Sequence, residues 1–138
     1  MGKAKKGPKT EQDYAEEIRA AVLQERRDDI VIIFIPSHDR KQRKLNNQEF
    51  WAAGGLKLFC DLYGGATAFK AYRGIWKSAD GTDLYDDPIM IQSLAKRENV
   101  IDEKGLELLV GFCRQMGKEM NQECVGLIVN DVMRYIYV

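Results

Sequence analysis

Ile30-Val31-Ile32-Ile33-Phe34-Ile35-Pro36 is the stretch that decides the fold. The apolar run is mostly β-branched, too short for a helix of its own, and closed by Pro36, so it reads as a β-strand. Because every position is apolar, and not every second one, both faces of the strand need cover. That places it in the interior of a sheet.

Downstream, residues 37–44 are polar and cationic, and Asn46 or Asn47 can cap a helix that runs to Tyr63. Phe50, Trp51, Leu58, Phe59 and Leu62 fall on its inner side. Gly54 and Gly55 each cost a mid-helix segment about 1 kcal/mol relative to Ala, so close packing on the sheet is the natural offset. Gly64-Gly65 supplies the left-handed stop. Residues 67–77 and 84–95 then read as two strands of one hairpin, turning at Ser78-Ala79-Asp80-Gly81-Thr82. Pro88 lacks a donor and is expected at an edge-like or bulged position.

Leu106, Leu109, Val110, Cys113, Met116 and Met120 recur at helical spacing behind Asp102, which predicts a second core-facing helix over 102–119. Val125, Leu127 and Val129, a tight Asn130-Asp131 turn, and residues 132–138 make a closing strand pair. Upstream, Thr10 and Asp13 form a capping arrangement ahead of Tyr14, Ile18, Ala21 and Val22, which predicts an amphipathic helix over 11–27. Its apolar stripe is narrow and suits docking on another surface more than building the core.

Without the first helix and last strand, the order is β-α-β-β-α-β. The fold class expected is therefore α+β: a ferredoxin-like antiparallel sheet with two helices on one face, plus an N-terminal helix and an extra C-terminal strand. Residues 1–9 read as a flexible basic tail and 10–138 as one domain, with the N-terminal helix in 10–28 and the ferredoxin-like core in 30–138. Two helices cover one sheet face only, so the second face is left to the N-terminal helix, the extra strand or a second copy of the chain. A homodimer through that face is the expectation.

A chain of 138 residues suits one domain and one core. Lys plus Arg balances Asp plus Glu at 21 each, so net charge supplies no pull toward nucleic acid or an anionic membrane, and a nucleic-acid partner is not expected. The longest apolar run is far below the ~20 residues of a membrane-spanning helix. No apolar segment of signal type follows the basic start, and the cytoplasm is the expected compartment. Cys60, Cys113 and Cys124 are far apart in apolar segments and read as reduced core thiols. With one histidine and no paired cysteines, neither a metal nor another cofactor is expected.

In a βαββαβ unit the exit of the first strand, the hairpin tip and the link out of the second helix meet at one end of the sheet. That end gathers Ser37, His38, Asp39, Arg40 and Lys41, then Trp76 and Lys77, then Glu119, Asn121 and Gln122. His38 is the general acid or base candidate, with Asp39 or Glu119 to orient it. Arg40, Lys41, Arg43 and Lys44 suit a phosphate or carboxylate, and Trp76 an aromatic wall. A solvated cationic loop with an incidental histidine is the competing account. Asp86-Asp87 is a poor metal pair, because neighbouring strand residues point to opposite faces.

Ile35-Pro36-Ser37-His38-Asp39-Arg40, Phe50-Trp51, Gly64-Gly65-Ala66-Thr67, Gly74-Ile75-Trp76 and Asp80-Gly81 together resemble small bacterial proteins of unassigned function, over about residues 30–130. The resemblance implies no activity and no site residue. Three functions stay in competition. The first is a small-ligand or partner-binding domain that takes an anionic group on Arg40, Lys41 and Lys77. The second is a metal-independent enzyme on a phosphoester or acyl substrate, with catalytic His38 and Glu119. The third is a purely structural assembly module.

Overall fold

Along the chain come α1 (Glu11–Gln24), β1 (Asp29–Ile35), α2 (Gln48–Tyr63), β2 (Thr67–Lys70), β3 (Gly74–Lys77), β4 (Asp83–Asp86), β5 (Ile89–Ala95), α3 (Arg97–Val100), α4 (Glu103–Glu119), β6 (Cys124–Val129) and β7 (Val132–Tyr137). The structure is a computed structural model that describes residues 7–24 and 26–138. Most of the basic tail, residues 1–6, lies outside the described residues, as does Glu25.

A five-stranded antiparallel sheet of order β2-β5-β1-β6-β7 carries the domain, and β1 is its middle strand. β5 pairs with all of β1, from Asp29 opposite Ala95 to Ile35 opposite Ile89, and β6 pairs with its other edge. Val31, Ile33 and Ile35 are fully buried under α2 and α4, together with Ile91, Phe59, Leu109, Cys113 and Met116. Cover is thus complete on one face. Ile32 and Phe34, on the other face, are only partly buried and Ile30 is exposed, because no described helix lies there.

The sequence explains how tightly the helices sit. A Cβ on Gly55 would lie 3.2 Å from Ile91 Cγ1 and 3.4 Å from Ile33 Cδ1, so the missing side chain lets α2 press onto the sheet. Gly64, at φ +89°, closes α2 in the left-handed conformation with its N–H on the Cys60 carbonyl. Asp102 caps α4 by accepting the Gly105 N–H at 2.8 Å. Asn47 precedes α2, but its side chain makes no capping bond. Two more details differ from expectation on α2: Phe50 is mostly exposed, and Cys60 faces outward. Of the three free thiols, only Cys113 is fully buried, and burial pushes it up to about 12.

The expected single hairpin is two ribbons in series. β2 pairs with β5 and β3 with β4 in a separate two-stranded sheet. Lys70 stands opposite Ile89 and Gly74 opposite Asp86, so residues 71–73 on one side face only 87–88 on the other. This one-residue mismatch is a β-bulge, and it falls at Pro88, which has no N–H to offer and whose carbonyl takes the Ala71 N–H.

At the opposite end of the sheet a buried carboxylate ties three elements together. Asp29 takes Arg97 bidentately, Nε to Oδ2 at 2.7 Å and Nη2 to Oδ1 at 3.0 Å, and also the Asn130 side chain. The Arg97 guanidinium, opposing the effect of burial, holds the Asp29 carboxyl below the ordinary range. Among the described residues no helix is long and apolar enough to cross a membrane.

Candidate functional site: a cavity beneath the β3–β4 ribbon

The bulge turns the β3–β4 ribbon over the open sheet face, and Trp76 comes to rest edge-to-face on Phe34. Between ribbon and sheet lies a cavity of about 400 Å3. Phe34 and Gly126 line it from the sheet, and Trp76, Leu84 and Tyr85 from the ribbon. Tyr135 and Tyr137 of β7 add aromatic wall, and His38, Arg40 and Gln122 polar wall. Gly126 makes room for the Phe34 ring: a Cβ there would stand 3.1 Å from Phe34 Cδ2. A pocket mostly apolar with a few convergent polar groups is the usual form of a small-molecule site.

The loop that carries His38 is folded around a buried carboxylate. Asp39 accepts the backbone N–H groups of Lys41 and Arg43, each at 2.9 Å, and the Arg43 Nε at 2.7 Å. Burial would raise this carboxyl, but the bonds from the Arg43 backbone and guanidinium, Lys41 and Asn121 outweigh it and hold the group at about 2. Asp39 is therefore fully used inside the loop. The Gln122 side chain donates to the His38 carbonyl at 2.8 Å, and the Arg40 N–H to the Asn121 carbonyl at 3.0 Å, which locks the loop to the end of α4.

His38 is oriented by Ser37 and Asp86. Asp86 Oδ1 accepts the Ser37 N–H at 2.6 Å, the Ser37 hydroxyl at 2.7 Å and the His38 N–H at 3.2 Å. Ser37 Oγ also accepts the Asp87 N–H at 2.8 Å and lies 2.7 Å from His38 Nδ1. A carboxylate only accepts, so the single hydroxyl proton of Ser37 is committed to Asp86, and Nδ1 must be the donor to Ser37 Oγ. Neutral His38 is thereby held with its proton on Nδ1 and its lone pair on Nε2. Ser37 is engaged three ways and is no free nucleophile.

Of the residues picked out by sequence, His38, Asp39, Arg40, Trp76, Lys77 and Gln122 line the cavity, and Ser37 stands behind His38. Lys41 is exposed and not on the wall, and Lys77 is paired with Asp83 in the ribbon. Glu119 is exposed at the end of α4 and off the wall; the acids on the wall are Asp39, Asp86 and Glu123. Arg40 makes no ion pair among the described residues and shares the wall with these carboxylates. Sequence reasoning missed Phe34, Tyr85, Asp86, Tyr135 and Tyr137. Asp86 was weighed only as a metal ligand, and among the described residues no group of acids, histidines and cysteines is placed to hold a metal ion.

The fold and cavity define a small α+β domain with a ligand-sized pocket on the sheet face that no described helix covers. No family model and no curated protein sequence matches the chain. Among solved structures it is similar to a phage SAM lyase in complex with S-methyl-5'-thioadenosine, with a TM-score of 0.57, 10% identity, and 80% of this chain and 89% of that chain covered. A phage SAM lyase in the apo state is similar too, with a TM-score of 0.54, 14% identity and the same coverage. At these identities the likeness is one of fold.

Proposed function

We propose that this chain is a homodimeric small-ligand-binding domain whose cavity takes a molecule with a flat ring and an anionic group. The observation that carries this is the cavity wall: Trp76, Tyr135 and Tyr137 offer aromatic surface on two sides, and Arg40, which makes no ion pair among the described residues, stands on it with His38 and Gln122. The fold likeness to a phage SAM lyase holding S-methyl-5'-thioadenosine supports a nucleoside as the flat part. Lys41, exposed next to Arg40 in the same loop, adds positive potential, whereas Lys77 is held by Asp83.

The cytoplasm is its compartment in this reading and a bacterium its source, supported by the three unpaired cysteines and by the resemblance to small bacterial proteins. We read β2, β5, β1 and β6 with α2 and α4 as a ferredoxin-like unit, supported by the central β1–β5 pair and by both helices sharing one face. β7 and the β3–β4 ribbon depart from the plain arrangement.

Thermal shift and calorimetry with S-methyl-5'-thioadenosine, SAM, adenosine monophosphate and inorganic phosphate test the function. A ligand at a hundredfold its Kd stabilises the folded state by about 2.7 kcal/mol. At least one nucleoside is expected to raise Tm. Arg40→Ala with Lys41→Ala is expected to weaken the monophosphate about tenfold or more, since a charged hydrogen bond contributes about 1.5–3 kcal/mol. No shift with any of the four compounds overturns the proposal.

A second reading rests on the held histidine. With Nδ1 committed to Ser37, His38 Nε2 is a proton acceptor on the cavity wall, as a metal-independent hydrolase of phosphoesters or acyl compounds would require. Turnover of a model ester that is lost in His38→Gln supports it, and turnover that survives the change removes it.

A further inference from the structure

Two apolar surfaces have no partner among the described residues. On α1, Tyr14, Ile18 and Val22 recur four residues apart and are 54%, 65% and 68% exposed, and every position from Glu11 to Leu23 is exposed. The reciprocal bonds between Thr10 and Asp13, N to Oδ2 at 2.9 Å and N to Oγ1 at 3.2 Å, cap this helix although it packs on nothing described. On the open sheet face, Ile30, Phe69 and Leu94 are 36%, 45% and 50% exposed. None of the sheet positions that share this face with Ile30, Ile32 and Phe34 is charged.

Arg27 anchors the segment that leads into β1. Its Nη1 donates to the Tyr63 carbonyl at 2.9 Å and its guanidinium lies over Gly64, at the C-terminal end of α2. The segment just ahead of β1 is thereby tied to the helix-covered side of the sheet. Four carboxylates on α1, Glu11, Asp13, Glu16 and Glu17, face a single cation, Arg19, which disfavours an anionic lipid surface as the partner.

We infer that α1 is an exchange arm, packing its Tyr14–Ile18–Val22 stripe on the open sheet face of a second copy of the chain. This rests on the homodimer proposed above and names its contact. At roughly 200 Å2 per large side chain, complete burial of the exposed parts of these six residues removes at most about 640 Å2 per copy and about 1,300 Å2 for a reciprocal pair, which reaches the lower end of the ~1,200–2,000 Å2 of specific, stable interfaces. Exchange of an identical element between copies is a low-cost route to a closed dimer.

Size-exclusion chromatography with light scattering on the full chain tests it with three proteins: wild type, Ile18→Asp with Val22→Asp, and Leu94→Asp. The substituted side chains are half exposed or more, so circular dichroism and Tm are expected to match wild type. Wild type is expected at twice the 15.8 kDa chain mass, and both variants at the chain mass. If Leu94→Asp dissociates and the helix variant does not, the open-face homodimer stands and the exchange arm is overturned. If only the helix variant dissociates, the arm packs on another surface and the face assignment is overturned. A monomeric wild type, or a mass unchanged in both variants, overturns both.

Discussion

Trp76 stands edge-to-face on Phe34, with ring centroids 5.6 Å apart and planes at 82°. The contact joins a ribbon that pairs with no strand of the main sheet to the strand at that sheet's centre, and so holds the roof of the cavity to its floor.

Trp76→Ala removes that tie. The ring pair contributes about 0.5–1.5 kcal/mol beyond simple burial, so Tm is expected to fall by a few degrees, roughly 2–6 °C. Ligand affinity is expected to fall further, because the wall itself is lost. Ile75→Ala, on the exposed side of the same strand, is the control and should leave both within about 0.5 kcal/mol. Equal effects of the two changes would mean that the ribbon, and not the ring contact, carries the site.

His38 is expected to show the Nδ1–H tautomer in long-range ¹⁵N NMR spectra when neutral. Ser37→Ala takes away the oxygen that Nδ1 addresses, and should mix the tautomers while leaving the Asp39-centred loop folded. Spectra that already show the Nε2–H form in wild type would contradict the proton bookkeeping at Ser37.

Asp39 is expected to shape the acid limb of stability. Its folded value of about 2 lies below the unfolded ~3.9. The group therefore contributes stability that is fully present above about pH 4 and is lost as pH falls through 4 toward 2. Asp29 and Asp80 are shifted in the same direction and add to the slope. Asp39→Asn should cost about 1–3 kcal/mol near neutrality, because buried donors lose their acceptor, and should flatten the limb. Urea unfolding over a pH series reads both. An Asp39→Asn limb as steep as wild type would assign the acid sensitivity elsewhere.

Gly55→Val should destabilise by about 2 kcal/mol or more, since overpacking a core costs ~1–3 kcal/mol and a β-branched residue regains little helix propensity. The added methyls would meet Ile91, Ile33 and Ile35, all fixed by strand pairing. Chemical denaturation measures it, and a stability equal to wild type would show that α2 can lift off the sheet.

The central strand, the two core helices, the closing strand pair and the Gly64 stop were legible in the sequence, because each rests on local periodicity or on one residue's backbone freedom. The end of the sheet where polar residues gather was legible too, since element order alone brings those loops together. What local pattern could not supply was a count across a hairpin. Residues 67–77 and 84–95 look continuous until Lys70 is set against Ile89 and Gly74 against Asp86. For the same reason Phe34 was read as core and Asp86 as a weak metal ligand: what they touch depends on where the ribbon turns. α1 carries a clear helical pattern, but its apolar stripe names no surface within its own chain.

The offset of one residue at Pro88 makes the pocket a matter of parity. With equal numbers on the two sides, β2 with β3 and β4 with β5 would run on as a flat hairpin projecting past the sheet edge, and Trp76 would never meet Phe34. Removing one residue from 71–73 should therefore abolish the hollow while sparing the core on the other side of the sheet, so this molecule's concavity is written in its length at one point as much as in the side chains that line it.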